Sequence, residues 1–210
     1  MTKFLIADDH SLIRKGLSTL LREEFPGAEV CEVTDSSALL QEAVAEKKWD
    51  LIISDISMPG RNILETLKQL KKTLPNTPVL ILSVHPEDQY VVRALKAGAS
   101  GYLNKESAPE ELLKAVRQLL QGKKYVSAEG AEKLAASFGD DPNQLPHEKL
   151  SEREFDVLKR LASGKTVSEI ATSLSLSVNT ISTYRSRILE KMSMQNNAEL
   201  TLYAVENKLI

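Results

Sequence analysis

Three aspartates, a serine and a lysine are the residues here whose types and spacing could do chemistry. Asp8 and Asp9 follow a short apolar run, Phe4-Leu5-Ile6-Ala7. Asp55 ends a second run, Leu51-Ile52-Ile53-Ser54. Ser83 ends a third, Val79-Leu80-Ile81-Leu82, and Lys105 follows a fourth, Gly101-Tyr102-Leu103. Carboxylates brought together repel and raise one another's pKa. A hard divalent cation relieves the repulsion, and Mg2+ takes a few carboxylates together with water and phosphate oxygens. With Mg2+ and the Lys105 ammonium beside it, Asp55 could act as a covalent nucleophile and carry a phosphoryl group. The metal and Lys105 would stabilise charge on the equatorial oxygens. Ser83 could donate a hydrogen bond to the same group. Each residue alone also has an ordinary role: Asp8 or Asp9 as a helix cap, Lys105 as a surface charge, Ser83 in a turn. All five at one sheet edge favour the reactive reading.

The elements that must position them alternate in type. The apolar runs are strands, joined by a further strand at Ala28–Val33. Between them lie helical patterns. Leu12, Ile13, Leu17, Leu20 and Leu21 form the first apolar stripe, stopped by Pro26-Gly27. Ser36 to Glu46 carries Leu39, Leu40, Ala43 and Val44, and Ile63, Leu64, Leu67 and Leu70 line a third helix after Pro59-Gly60. Val91, Val92, Ala94 and Leu95 line a fourth, and Leu112, Leu113, Val116, Leu119 and Leu120 a fifth. Five strands alternating with five helices predict a parallel, doubly wound α/β sheet over residues 1–121. Reactive residues of such a sheet collect at the carboxyl ends of its strands.

Residues 122–147 read as a linker. It contains a possible short helix from Ala128 to Ser137 and a breaker-rich stretch, Gly139 to Pro146. Residues 148–210 show no strand pattern and predict a small all-α domain of four helices. Ser151 with Glu154 is a capping box for the first. Thr166 or Val167 starts the second, Ser177 caps the third, and Asn196 or Asn197 starts the last. The second and third helices, joined across Leu174-Ser175-Leu176-Ser177, read as a helix-turn-helix whose second helix fits a major groove of double-stranded DNA. Lys165, Tyr184, Arg185, Arg187 and Lys191 are candidate phosphate contacts. The hydroxyls of Thr180, Ser182 and Thr183 could reach phosphates or base edges. The alternative is a solvated polar face, and from Leu150 to Ile210 eight Lys and Arg stand against seven Asp and Glu.

Composition bounds the remaining readings. The 210 residues are 42% apolar and carry a net charge of −2. Any DNA contact is therefore a local patch. Cys31 is the only cysteine. It cannot form an internal disulfide and reads as a small buried residue. No run approaches the roughly 20 apolar residues that cross a bilayer, and the first apolar run is too short for a signal-peptide core. A soluble, cytoplasmic protein without a membrane partner is expected. An enzyme on the α/β domain lacks a Gly-rich dinucleotide turn and a phosphate loop. His10, His85 and His147 lack metal-ligand spacing. A phosphatase reading of Asp55 wants an acid two residues on, where Ser57 stands.

Ala7-Asp8-Asp9-His10, Asp55-Ile56-Ser57-Met58-Pro59-Gly60, Ser83 and Tyr102-Leu103-Asn104-Lys105 resemble the receiver domain of two-component response regulators. The resemblance implies a flavodoxin-like fold and phosphorylation of Asp55 by a sensor histidine kinase. It implies Mg2+ held by Asp9, Asp55 and the backbone carbonyl of Ser57, with Asp8 acting through water. Ser83 and Tyr102 would be the switch pair; an alternative for Tyr102 is a half-buried strand aromatic. One departure is Arg61-Asn62-Ile63, where many receivers have Gly.

Leu150-Ser151-Glu152-Arg153-Glu154, Ala162-Ser163-Gly164, Glu169-Ile170-Ala171, Asn179-Thr180-Ile181 and Lys191-Met192 resemble the LuxR-type helix-turn-helix. Together the two resemblances are those of the NarL/FixJ group of transcription factors. By resemblance Ser182, Thr183 and Ser186 occupy groove-facing positions, and Leu200, Leu202, Tyr203 and Val205 supply a dimer contact, the alternative being that they close the small core; Thr166 and Asn179 complete the DNA-contacting set. Ser182 and Tyr184 depart from the Lys and His often found there. The expected protein is a phosphorylation-controlled regulator, a homodimer when active, and not an enzyme beyond its own phosphoryl transfer. The alternative is a phosphate-independent DNA binder that uses the α/β domain only to dimerise.

Overall fold

The computed structural model describes residues 1–46, 48–59, 61–84, 87–107, 109–136 and 145–210. Gly60, His85 and the breaker-rich stretch from Gly139 to Gln144 lie outside them. The chain forms two compact units, Met1–Gly139 and Asp140–Ile210.

In the first unit, strands β1 (Lys3–Ala7), β2 (Glu29–Val33), β3 (Leu51–Asp55), β4 (Val79–Ser83) and β5 (Gly101–Asn104) make one parallel sheet in the order β2-β1-β3-β4-β5. Helices α1 (Ser11–Glu24), α2 (Ser36–Ala45), α3 (Ile63–Thr73), α4 (Glu87–Ala97) and α5 (Pro109–Leu120) connect and follow them. The strand residues alternate between two buried faces. Leu5, Ile52, Ile81 and Tyr102 pack with residues of α2, α3 and α4, whereas Phe4, Ile6, Ile53, Leu80 and Leu82 pack with α1 and α5. This is the doubly wound, flavodoxin-like arrangement, and its strand order reverses at the junction of β1 and β3.

Three apolar positions fall outside the expected core. Leu12 is 80% exposed on α1 and Val44 is 39% exposed on α2. A helix turns only part of its circumference to a sheet, and Leu17 and Leu21 occupy that part of α1. Cys31 is only partly buried, because β2 is an edge strand.

The unit runs on past residue 121. Tyr125 makes a parallel bridge to Gly101 at the free edge of β5. The Tyr125 N–H donates to the Ser100 carbonyl (3.0 Å), and the Tyr102 N–H donates to the Tyr125 carbonyl (3.2 Å). Gly101 allows this approach: a Cβ there would lie 2.9 Å from the Tyr125 carbonyl oxygen. The Tyr125 hydroxyl donates to Glu111. Helix α6 (Ala128–Ala136) then packs against α4.

The second unit begins with a 3-10 turn, Pro146–Lys149. It continues through α7 (Glu152–Ala162), α8 (Val167–Leu174), α9 (Val178–Lys191) and α10 (Asn197–Glu206). The helix starts follow their caps. Ser151 with Glu154 and Thr166 with Glu169 form complete capping boxes. Ser177 and Asn196 accept from the N–H groups of Thr180 and Glu199. Such caps satisfy N–H groups that have no partner within the helix. Phe155, Leu158, Ile170, Ile181, Ile188, Leu200 and Ala204 fill the core. Among the described residues no helix is long and apolar enough to cross a membrane.

Candidate functional site

Parallel pairing brings the ends of β1, β3, β4 and β5 to one edge. Ala7 pairs with Ser54, Asp55 with Leu82, and Ser83 with Asn104. Asp8 and Lys105 therefore leave the sheet beside Asp55. The Lys105 ammonium lies 2.7 Å from Asp8 Oδ2 and 2.9 Å from Asp55 Oδ2. All three side chains are buried: Asp8 is 1% exposed, Asp55 2% and Lys105 7%. Burial pushes the Asp55 carboxyl above its usual range, and the charge of Asp8 adds to this. The Lys105 ammonium and a backbone hydrogen bond from Ser57 pull the other way without cancelling the rise. Asp55 Oδ1 is buried and has no hydrogen-bond partner among the described residues. A buried carboxylate oxygen left unpartnered is costly. Asp8, Asp9, His10 and Asp55 offer ligand atoms within 4.8 Å of one another, so the donors fit a divalent cation.

The neighbouring groups hold this edge in place. The Arg14 guanidinium donates to the Asp8 carbonyl at 2.7 Å. Ser83 and Tyr102 are fully buried, and Tyr102 packs into the core on the α4 side of the sheet. The Arg61-Asn62-Ile63 departure has a structural use. Asn62 caps α3 through the Leu64 N–H (2.9 Å), and Ile63 is only 4% exposed in the core. Ser57 is exposed on the loop after β3.

On α9 the expected DNA-contacting residues divide into two groups. Asn179, Ser182, Thr183, Ser186 and Arg187 are exposed, whereas Thr180, Tyr184 and Arg185 are partly covered. Asn179, Thr180, Thr183, Tyr184 and Arg187 line a shallow groove of about 290 Å3. The Thr183 and Ser186 hydroxyls donate to the carbonyls of Asn179 and Ser182 (2.9 and 3.1 Å), leaving their lone pairs to face outward. Two cations pair with other groups of the bundle. Arg185 Nε donates to Asn197 Oδ1 at 2.7 Å, and Lys191 Nζ lies 2.7 Å from the buried Glu154 carboxylate. Burial pushes Glu154 up, but Lys191 and the Ser151 N–H and hydroxyl together hold it below the usual carboxylate range. Arg187 has no hydrogen-bond or ion-pair partner among the described residues. Lys165 is exposed, and the Thr166 hydroxyl caps α8.

Residues 4–117 match the response regulator receiver domain, and residues 148–204 match the luxR family of bacterial regulatory proteins. The chain belongs to the response regulators. Relatives agree over its full length. The response regulator GacA of Pseudomonas aeruginosa is 35% identical over 100% of this chain and 98% of its own. The response regulator UvrY of Escherichia coli is 32% identical over 100% of this chain and 96% of its own. Among solved structures, RcsB of Salmonella enterica serovar Typhimurium superposes with a TM-score of 0.70. It is 27% identical over 96% of this chain and 97% of that one, and was determined bound to the promoter rprA with the phosphomimetic BeF3−. This protein is thus a DNA-binding response regulator of the NarL/FixJ type, with a receiver and a LuxR-type helix-turn-helix. Receivers generally bind Mg2+ at an acidic pocket of this kind.

His10 is the residue whose surroundings spacing along the sequence does not show. Measured against the other histidines it has no ligand partner. Folding puts its Nδ1 2.8 Å from Asp9 Oδ1 and 3.1 Å from Asp8 Oδ1. The available signal was its position directly after the two aspartates.

Proposed function

We propose that this regulator is switched by phosphorylation of Asp55 from a sensor histidine kinase. The observation that carries the reading is the buried Asp55 carboxylate, with Oδ2 on Lys105 and Oδ1 without a hydrogen-bond partner among the described residues. Oδ1 is the nucleophile. A bond forms between it and phosphorus as the bond from phosphorus to the donor's nitrogen breaks. Lys105 stays on Oδ2 and neutralises charge gathering on the transferred group. Mg2+, held by Asp9, Asp55 and the Ser57 carbonyl with Asp8 acting through water, would supply a second positive charge there. Ser83 and Tyr102 form the pair that reports the phosphoryl group to the rest of the domain. The chain turns over no other substrate, and we assign it to the cytoplasm, where kinase and DNA meet.

The output is binding to double-stranded DNA through α9. Asn179, Thr180, Ser182, Thr183, Tyr184 and Ser186 face the groove, and Lys165, Thr166 and Arg187 contact phosphates. Arg185 and Lys191 act by holding α9 to α10 and α7, consistent with their internal partners. One module covers one half-site, so the active form is a two-fold dimer. The exposure of Leu202 (60%) and Val205 (58%) on α10 supports a dimer contact there. Phosphorylation shifts the population toward a state that dimerises and frees the recognition helix.

The test is treatment with a small acyl phosphate and Mg2+, read by intact mass. DNA binding is measured in parallel by capture and sequencing of genomic fragments. The parent protein is expected to gain one phosphoryl group and bind DNA more tightly, and Asp55→Ala to do neither. An unmodified parent, or equal modification of both proteins, overturns the assignment.

A further inference from the structure

The first turn of α9 holds four side chains, Val178 to Ile181, and two of them are already engaged. Ile181 is fully buried in the core of the bundle. The Thr180 hydroxyl lies 2.7 Å from the Ser177 hydroxyl, the same group that caps the helix through the Thr180 N–H. Val178 and Asn179 are left. Val178 is 48% exposed. The exposed Asn179 carboxamide has no hydrogen-bond partner among the described residues. Its backbone carbonyl accepts from the Thr183 hydroxyl at 2.9 Å, which engages the turn and not the side chain. Arg187, the exposed cation of α9, stands eight positions after Asn179, about 12 Å further along the axis at about 1.5 Å per residue.

We propose that Val178 and Asn179 are a base-reading pair, Asn179 taking an adenine and Val178 the methyl group of a thymine in the adjacent base pair. The inference rests on the reading of α9 as the helix that enters the major groove. In a helix-turn-helix the N-terminal residues of that helix meet the base edges. A carboxamide offers a donor and an acceptor side by side, which match N7 and N6 of adenine. Guanine presents two acceptors there and is read by Arg or Lys, and the first turn carries neither. Val178 has no polar side-chain atom, and the C5-methyl of thymine is the apolar feature of the groove. The half-site therefore carries two consecutive A·T pairs where α9 enters, one read through its adenine and the other through its thymine.

The experiment uses the full chain, with and without acyl phosphate, and a library of random DNA duplexes. Sequences enriched by the parent are compared with those enriched by Asn179→Ala and Val178→Ser, both at exposed positions. The parent is expected to enrich consecutive A·T pairs in each half-site, Asn179→Ala to lose the preference at one of them and Val178→Ser at its neighbour. Base analogues then test single atoms in the duplex the parent prefers. Adenine replaced by 7-deazaadenine lacks N7 and should weaken the parent by about five- to tenfold, and Asn179→Ala by less than about twofold. Thymine replaced by uracil lacks only the methyl and should weaken the parent by about threefold, and leave Val178→Ser unchanged. A parent that enriches no A·T pairs overturns the proposal, as do variants that enrich the parent's sequences. Asn179→Ala weakening all sequences alike also overturns it, since that is the mark of a phosphate contact. These outcomes leave the α9 reading standing. That reading fails, and the base assignment with it, if Ser186→Glu, which sets a negative charge on the exposed face of α9, binds DNA as the parent does, or if the parent binds no duplex in either state.

Discussion

Lys105 in the first unit is 7% exposed and lies between two carboxylates. Arg187 in the second unit is exposed and has no hydrogen-bond or ion-pair partner among the described residues. Both belong to surfaces assigned here to phosphate groups, yet they are placed in opposite ways. The pocket gathers its charges inward, where water is excluded and each interaction is strong. The face of α9 is defined by subtraction: Arg185 and Lys191 are drawn into the bundle, and hydroxyls, one amide and one guanidinium remain outside. The difference teaches that a reactive site needs enclosure to raise its electrostatics, while a reading surface needs exposure and a rigid helix behind it.

The largest expected effect tests the enclosed side. Lys105→Ala leaves Asp8 and Asp55 buried without their cation. Breaking a buried ion pair costs several kcal/mol. A loss of about 2–3 kcal/mol is expected here, toward the low end because Asp55 can take a proton. Urea unfolding of the first unit without divalent ions measures it, and added Mg2+ should recover part of the loss. A variant as stable as the parent would mean that the pocket is wet and that the contrast with α9 is false.

Lys191→Met probes the second unit at its buried end. Glu154 then keeps its charge with Ser151 alone, and a charge-assisted hydrogen bond is lost. The expected cost is about 1–2 kcal/mol, discounted because Lys191 is partly exposed. The sign with pH follows from the lowered Glu154 carboxyl. Its stabilisation is present above the ordinary carboxylate range and is lost as pH falls through the folded value. The parent and variant unfolding curves should therefore converge in acid.

Asp55→Asn has the reverse pH signature. The Asp55 carboxyl is raised, so the folded state holds its proton more tightly than the unfolded state does. The penalty is absent in acid and grows as pH rises through the unfolded and then the folded value. The variant should match the parent near pH 3 and melt at a higher temperature than the parent at pH 7. Thermal unfolding of ion-free protein across that range checks it, and a variant that melts lower at pH 7 would reverse the cause assigned to the shift.

The smallest effect lies on the exposed side. Arg187→Ala should leave folding unchanged and reduce the salt slope of DNA binding by about one. Lys191→Met should leave that slope unchanged. Equal slopes for the two variants would erase the division of the α9 cations.

Much of this was legible in the chain itself. Short apolar runs ending in Asp8, Asp55, Ser83 and Lys105 are strands whose ends carry chemistry, because continuous apolar runs of this length, separated by helical patterns, mark a parallel sheet covered on both faces. Ser151 with Glu154, Ser177 and Asn196 announce helix starts through local hydrogen bonds. The apolar stripe of α1 was less informative. It marks a helix but not which part of its surface meets the sheet, so Leu12 looked buried and is exposed. The breakers mark a linker, whereas Tyr125 and α6 belong to the first unit because β5 has a free edge and Gly101 lets a backbone approach it.

The sequence by itself determined the order of elements, the caps and the identity of the acidic residues, since these depend on neighbours a few positions away. Only the tertiary structure decided which partner each charge takes. It set Lys105 on Oδ2 atoms 97 and 50 residues back along the chain, His10 on the opposite Oδ1 atoms, and Lys191 on Glu154. Ion pairing depends on distance and burial in space, and neither is written into spacing along a chain.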